Sequence, residues 1–280
     1  MQGQATSHAA SGLTSLLFVP GSAPARFAKA LATDADLVCI DLEDAVAADA
    51  KADARAAAIA AIGPRVAIRV NGVLTEEGRA DLAALAEAGN HPDLVLLPKV
   101  ESAAEVAVAH QALPAVGLVP LIETARGLRL AHEIGAAPGV VAMMFGGGDL
   151  SGELGVALAW EPLAVARGLF VLACAEAQVP AIDVPWIALD DADGLAEEAR
   201  RAHAIGFQAK AAIHPAQLDA IHAAMRPSPA LIAEAREALL AYETAGGRAI
   251  RHAGRMLEAP IIRRYQRIMA MAAAQELVDA

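Results

Sequence analysis

The apolar positions of the chain fall into short runs, at residues 15–19, 37–41, 66–70, 94–97, 117–121, 140–145, 181–184 and 207–211. Between them lie alanine-rich segments with the three-to-four spacing of a helix, among them 79–88, 103–111, 163–177 and 193–204. Short unbroken apolar runs suit strands buried on both faces, as parallel strands under covering helices are. Eight of them alternating with helices predict a closed (β/α)8 TIM barrel rather than an open doubly wound sheet. No linker divides the chain, so one barrel is expected over 15–225, preceded by a disordered arm at 1–14. Past His214 the pattern changes. Pro227, Ser228 and Pro229 break the chain before a helix over about 230–245, Gly246 and Gly247 turn it, and a short strand and a last helix from about Pro260 follow. This segment, 226–280, comes after the eighth strand and is not needed for closure. It reads as a C-terminal helical extension serving as a lid or an oligomer arm.

A length of 280 residues suits a single barrel. Hydrophobic residues make up 56% and aromatics only 3%, so the core is built from Ala, Val, Leu and Ile. No apolar stretch reaches the roughly 18–20 residues that span a bilayer. The N-terminus lacks a basic segment followed by an apolar one, so no secretory signal is expected, and the chain reads as cytoplasmic. Cys39 and Cys174 sit inside apolar runs without metal-ligand spacing and read as buried thiols. The net charge of −11 argues against a nucleic-acid partner. It still permits a small anionic ligand, because a few cations in one cleft outweigh the global field.

Chemistry in such a barrel sits where strands end and loops begin. Charged residues gather at those places: Asp41, Glu43 and Asp44 after the second run, Arg69 in the third, Lys99 after the fourth and Glu123 after the fifth. Asp149 follows three glycines after the sixth run, the seventh carries Asp183, and the eighth reaches Lys210 and then His214. Their succession predicts convergence on one rim. Glu123 and Asp149 offer the oxygen ligands a hard cation takes, or else a helix cap and a turn residue. Arg69 suits a carboxylate or a developing enolate, or a structural ion pair with Asp41 or Glu43. The segment from Pro20 to Lys29 offers Ser22, Arg26, Lys29 and a helix start, fit for a phosphate-bearing ligand or simply a capped surface helix. His214 is open between ligand contact and loop hydrogen bonding.

Seven strings carry a resemblance: LLFVPGS (16–22), DLEDAV (41–46), RVN (69–71), LPKVES (97–102), IETARGL (122–128), GDL (148–150) and IHPAQ (213–217). In this order they resemble the HpcH/HpaI aldolase and citrate lyase β-subunit family. The resemblance implies a (β/α)8 barrel in a trimer or dimer of trimers that binds Mg2+, with Mn2+ as an alternative, and a CoA thioester. It implies Glu123 and Asp149 as metal ligands, Arg69 facing the small carboxylate or enolate, and Asp41 and Glu43 supporting it. It places Ser22, Arg26, Lys29, Lys99 and His214 near the CoA or the site entrance. Within the family, ALAWEPL (157–163) is most similar to the bacterial (S)-citramalyl-CoA lyases. Two departures stand out. Gly148 occupies a position where the family often has glutamate, and Glu258 stands where related lyases supply an aspartate acid/base from a neighbouring subunit.

The implied reaction is cleavage of a 3-hydroxyacyl-CoA, citramalyl-CoA giving acetyl-CoA and pyruvate, with Arg69 stabilising the enolate and Glu258 handling the proton. The alternatives are a malyl-CoA or citryl-CoA lyase, a CoA-independent 2-keto-acid aldolase, and a citrate lyase β subunit active only with partner proteins.

Overall fold

The computed structural model describes residues 12–278. Eight parallel strands close in chain order: β1 (Ser15–Pro20), β2 (Leu37–Asp41), β3 (Val66–Arg69), β4 (Leu94–Leu97), β5 (Gly117–Ile122), β6 (Met143–Phe145), β7 (Ala181–Asp183) and β8 (Ala209–Ala212). Closure pairs β8 with β1, Ser15 lying opposite Lys210. Around them run α1 (Phe27–Leu31), α2 (Lys51–Ala60), α3 (Glu76–Glu87), α4 (Ala103–Ala112), α5 (Ala125–Arg129), α6 (Ala131–Gly135), α7 (Gly147–Leu154), α8 (Trp160–Ala177), α9 (Ala192–Ile205) and α10 (Leu218–Met225). The TIM-barrel expectation holds.

Side chains on a strand alternate between faces, and that alternation builds two cores here. Leu16, Cys39, Ala67, Leu96, Leu121, Met144, Ile182 and Ala211 pack with one another inside the barrel. Their neighbours Leu17, Ile40, Ile68, Leu97, Ile122, Phe145, Ala181 and Ala212 face the helices. Truncating one fully buried lumen residue, as in Leu96→Ala, costs about 2–5 kcal/mol, from lost apolar burial plus the cavity left behind. Several helices start on hydroxyl caps: Thr75 accepts from Gly78 N, Ser102 from Glu105 N and Thr124 from Gly127 N.

The floor of the barrel begins earlier than 15. Leu13 is buried, and Thr14 donates from its N–H and hydroxyl to Asp36 Oδ2 at 2.7 and 2.6 Å. The rest of the expected arm, 1–11, lies outside the described residues. The sixth strand is shorter than its apolar run, because Gly139 turns with φ +87° and Val140 makes only an isolated bridge to Leu118. Cys39 and Cys174 are free, buried thiols, which burial holds well above their ordinary pKa. No helix among the described residues is long and apolar enough to cross a membrane.

After α10 the chain forms α11 (Pro229–Thr244), a hairpin of β9 (Ile250–His252) and β10 (Arg255–Leu257), and α12 (Ala259–Val278). The sequence pattern suggested one strand here, whereas Gly254 at φ +79° turns the chain back into a second. Ala235, Ala238, Leu257, Ile262, Tyr265 and Ile268 give this extension a small core of its own.

Candidate active site

The lumen alternation, carried two residues further, builds the mouth. Asp41 follows Cys39, Arg69 follows Ala67, Glu123 follows Leu121 and Gly146 follows Met144, so all four fall on the inward series at the C-terminal ends of their strands. They line a cavity of about 390 Å³ with Phe18, Asp44, Asp149, Leu158, Val184 and Ile187. Asp41 and Arg69 are register partners on β2 and β3.

Arg69 is held as a fork. Its Nε donates to Asp41 Oδ1 and its Nη2 to Asp41 Oδ2, both at 2.7 Å, while Nη1 lies 2.9 Å from Glu43 Oε2. The guanidinium also stacks 5.4 Å from the Phe18 ring centroid. The structural ion pair is present, and Arg69 still lines the cavity, which leaves the ligand-facing reading open to it. Glu43 Oε2 is buried and charge-paired, yet Nη1 is out of line, so this oxygen accepts no hydrogen bond. The acidic loop is pinned from behind. Lys51 Nζ donates to Leu42 O at 2.9 Å, Glu43 O at 3.0 Å and Asn71 Oδ1 at 2.5 Å, and Asn71 donates to Asp81. Neither Lys51 nor Phe18 stood out in the sequence. Phe18 follows Leu16 on the inward face of β1, so strand alternation alone would have found it.

Glu123 lies directly beyond β5 and is only 5% exposed. Its Oε2 accepts from Lys99 N at 2.7 Å. A methyl at Gly146 would overlap Glu123 Cγ, so glycine there clears the space this carboxylate occupies. Burial, and then the charge of Glu43, pushes the Glu123 carboxyl up to about 7. Asp149 lies in the first turn of α7, not on a strand end. Lys99 Nζ bonds Glu43, lies 3.3 Å from Asp44 and 3.0 Å from Asp149 Oδ2. Lys99 is thus tied to the carboxylates, not poised over the outer groove.

Among the described residues, Arg69 and Lys99 are the cations paired with Asp41, Glu43, Asp44 and Asp149, and Glu123 accepts only from the Lys99 backbone N–H. Arg26 also borders the cavity without pairing to them. The mouth therefore carries more carboxylates than cations, and the charge of Glu43 adds to burial in raising Glu123. A hard cation taking Glu123 and Asp149 as oxygen ligands fits that donor set. Among the described residues no three His, Cys, Asp or Glu side chains form a ready cage, so water and ligand oxygens must complete the shell.

Beside the mouth, a second groove of about 510 Å³ is lined by Arg26, Lys29, His214, Phe18 and Pro20. Ser22 is exposed, its hydroxyl 3.5 Å from Ala45 O. His214 Nδ1 accepts from Ala216 N at 3.2 Å, which leaves Nε2 directed outward as a donor in the neutral ring. Loop bonding and ligand contact are compatible here.

Two expected rim residues are elsewhere. Asp183 and Lys210 alternate with Ile182 and with Ala209 and Ala211, so they face the helices. Lys210 Nζ bonds Asp183 Oδ2 at 2.7 Å and Glu198 Oε1 at 2.8 Å, and Arg167 Nε bonds Asp183 at 3.0 Å. This cluster ties β7 and β8 to α8 and α9. Glu258 is exposed at the start of α12 and is not among the residues lining the mouth of its own chain.

A closed (β/α)8 barrel with acid-rich chemistry at its C-terminal mouth defines a TIM-barrel enzyme. The family model "HpcH/HpaI aldolase/citrate lyase" matches residues 14–215. The chain belongs to this family, and it is an enzyme of the aldolase and citrate lyase type. It is 39% identical over 246 residues to a (3S)-malyl-CoA thioesterase of Cereibacter sphaeroides, covering 85% of this chain and 86% of the relative. An L-malyl-CoA/beta-methylmalyl-CoA lyase of the same species is 33% identical over 304 residues, covering 94% and 95%. The structure of CitE from Mycobacterium tuberculosis in complex with magnesium, acetoacetate and coenzyme A superposes with a TM-score of 0.80 at 36% identity, covering 95% of this chain and 99% of that one.

Proposed function

We propose that this mouth cleaves the carbon–carbon bond of a 3-hydroxyacyl-CoA in a Mg2+-dependent reaction, with (S)-citramalyl-CoA, giving acetyl-CoA and pyruvate, as its substrate. The observation that carries the reading is one cavity holding Glu123, Asp149 and the forked Arg69 beside an apolar wall of Leu158, Val184, Ile187 and Ile213. That wall suits the methyl branch of citramalate, at about 0.8 kcal/mol for the buried carbon. The carboxymethyl branch of citryl-CoA would need a cation there, and Arg26 alone among the cavity's cations is not paired to the carboxylates. The Mg2+ and coenzyme A of the mycobacterial CitE complex support the choice of cofactor and substrate class.

Glu123 and Asp149 would hold the cation. When bound, it supplies chelation and polarisation of the substrate's carboxylate and hydroxyl oxygens. The chain's own residues do the rest. A base takes the hydroxyl proton, the carbon–carbon bond breaks, and its electron pair moves onto the thioester as an enolate while the hydroxyl carbon becomes the ketone. The donors that Arg69 keeps free of Asp41 face that enolate oxygen. Return of a proton to the enolate carbon completes acetyl-CoA. We assign the proton to Glu258 of a neighbouring copy in a homo-oligomer, a trimer or hexamer, since Glu258 does not line its own mouth. Arg26, Lys29, Ser22 and the outward Nε2 of His214 would take the phosphate-bearing end of CoA along the adjoining groove.

A second reading has a specific basis: the 39% identity to malyl-CoA thioesterases favours hydrolysis of the thioester bond in the same site. The products separate the two. Citramalyl-CoA, malyl-CoA and citryl-CoA are offered to the purified chain with Mg2+ and with chelator. Cleavage releases acetyl-CoA and a keto acid with no free thiol, whereas hydrolysis releases CoA thiol and a hydroxy acid. Chelator-sensitive keto acid from citramalyl-CoA is the expected result. Free thiol without keto acid would replace the lyase reading with the thioesterase one.

A further inference from the structure

Lys99 has a left-handed backbone, with φ +51°, a region sparsely populated by residues that carry a side chain. Leu97 faces the helices, so straight continuation of β4 would send Lys99 to that side as well. The left-handed turn after Pro98 instead aims its N–H at Glu123 Oε2, 2.7 Å away, and brings its ammonium over the mouth. There the ammonium meets only carboxylates: Glu43, Asp44 at 3.3 Å and Asp149 Oδ2 at 3.0 Å. Its side chain stays 42% exposed, so solvent borders it on one side.

We infer that Lys99 is a tethered counter-cation of this carboxylate basin, standing on Asp149 until an entering divalent cation displaces it. The inference rests on the reading of Glu123 and Asp149 as the cation's ligands. An ammonium paired with Asp149 Oδ2 occupies one of the two oxygens through which this carboxylate takes a cation, and two positive charges on one carboxylate repel steeply. The flexible four-carbon stem lets the head group swing away while the backbone N–H keeps Glu123 oriented. The freed ammonium then faces the cavity into which an anionic substrate comes, so cation entry and substrate capture are coupled through one side chain.

The test is Mn2+ binding to the intact protein, read from the free-ion electron paramagnetic resonance signal. Lys99→Met and Lys99→Gln are expected to bind Mn2+ roughly tenfold more tightly than wild type, because a competing charge in direct contact is gone. Arg26→Met, which removes the same charge without contact to the basin, should change affinity by less than about twofold. Asp149→Asn should weaken binding at least tenfold, since it removes a ligand. A purely structural lysine would give the opposite sign, with looser binding when it is deleted. Equal or weaker binding by the Lys99 variants, or equal tightening by Arg26→Met, overturns the inference. Unchanged binding by Asp149→Asn overturns instead the metal reading beneath it. Wild-type protein gives an independent measurement if a variant does not fold: amine labelling of Lys99, read by mass spectrometry, should rise severalfold on adding Mg2+. Labelling that is unmoved or falls overturns the displacement.

Discussion

Arg69→Lys keeps a positive charge at the mouth and removes the fork. The guanidinium makes two 2.7 Å bonds to Asp41 and a 2.9 Å ion pair to Glu43, and it stacks on Phe18. An ammonium on a straight stem can satisfy one of those carboxylates but not the planar arrangement of both. Hydrogen bonds to charged groups contribute about 1.5–3 kcal/mol each. Two are lost, while the retained charge and partial water access at the mouth recover part of that, leaving a net loss of about 2–3 kcal/mol. At about 2–4 °C per kcal/mol for a large domain, Tm should fall by roughly 5–10 °C. Catalysis should fall further than stability alone explains. Loss of a donor aimed at a developing oxyanion costs about 100- to 1,000-fold in kcat. KM should move little, because the adjoining groove of Arg26, Lys29 and His214 is untouched. The assay is Mg2+-saturated keto-acid release from citramalyl-CoA well below the variant's Tm, with calorimetry alongside. A folded Arg69→Lys enzyme with kcat within threefold of wild type would refute the assignment of Arg69 to the enolate, whatever happened to Tm.

Gly146→Ala should drive its methyl against Glu123 and lower cation affinity and kcat together, read by Mn2+ titration and turnover. Gly148→Glu should fold normally, because its Cβ would meet no atom within 4 Å, and the added carboxylate should tighten cation binding severalfold. Lys210→Met leaves Asp183 and Glu198 with Arg167 alone in a fully buried cluster. It should cost about 3–5 kcal/mol by denaturant unfolding while kcat per folded molecule stays near wild type. Burial, and then Arg226, lowers the pKa of His222, opposed by Asp36, Asp34 and Asp219. A histidine depressed in the folded state contributes stability above the ordinary value of about 6.5, and that stability is lost as pH falls through it. Thermal scans between pH 7.5 and 5.5 should therefore show a decline that His222→Gln makes shallower, and an identical slope in both proteins would exclude this source.

The barrel was legible because its strands are short unbroken apolar runs separated by helix-period segments, and the structure adds a strict alternation of faces within them. The same alternation separates real mouth residues from false ones. Asp41, Arg69 and Glu123 continue the inward series of Cys39, Ala67 and Leu121, whereas Asp183 and Lys210 break phase with Ile182 and Ala211. Proximity to a strand end suggested both sets, but phase admits only the first. Asp149 was found by composition and misplaced by structure, since three glycines conceal where β6 stops and α7 begins. The resemblance placed Lys99 near the CoA or the entrance, and the left-handed backbone that carries it onto the mouth carboxylates leaves no trace in periodicity. Helices α1, α5 and α6, with five residues each, are too short to show a period at all.

The two ionic clusters of this barrel differ in a way that bears on purpose. Arg167 and Lys210 face Asp183 and Glu198, two charges against two, and all four are nearly or fully buried, with Arg167 also stacked 4.9 Å from the Trp160 ring centroid. Such a balanced, dry set can serve architecture, and apolar residues of equal volume can often replace it at little cost. The mouth is neither balanced nor dry. There burial and then the Glu43 charge raise Glu123, a buried Glu43 oxygen pairs with Arg69 without a hydrogen bond, and Lys99 turns onto the carboxylates through a left-handed backbone. Packing alone gives no reason to keep that arrangement, since every one of those features weakens the folded state by itself. A site that is incomplete without added positive charge accounts for keeping five carboxylates there, and that excess is the structural argument for a cation-dependent enzyme.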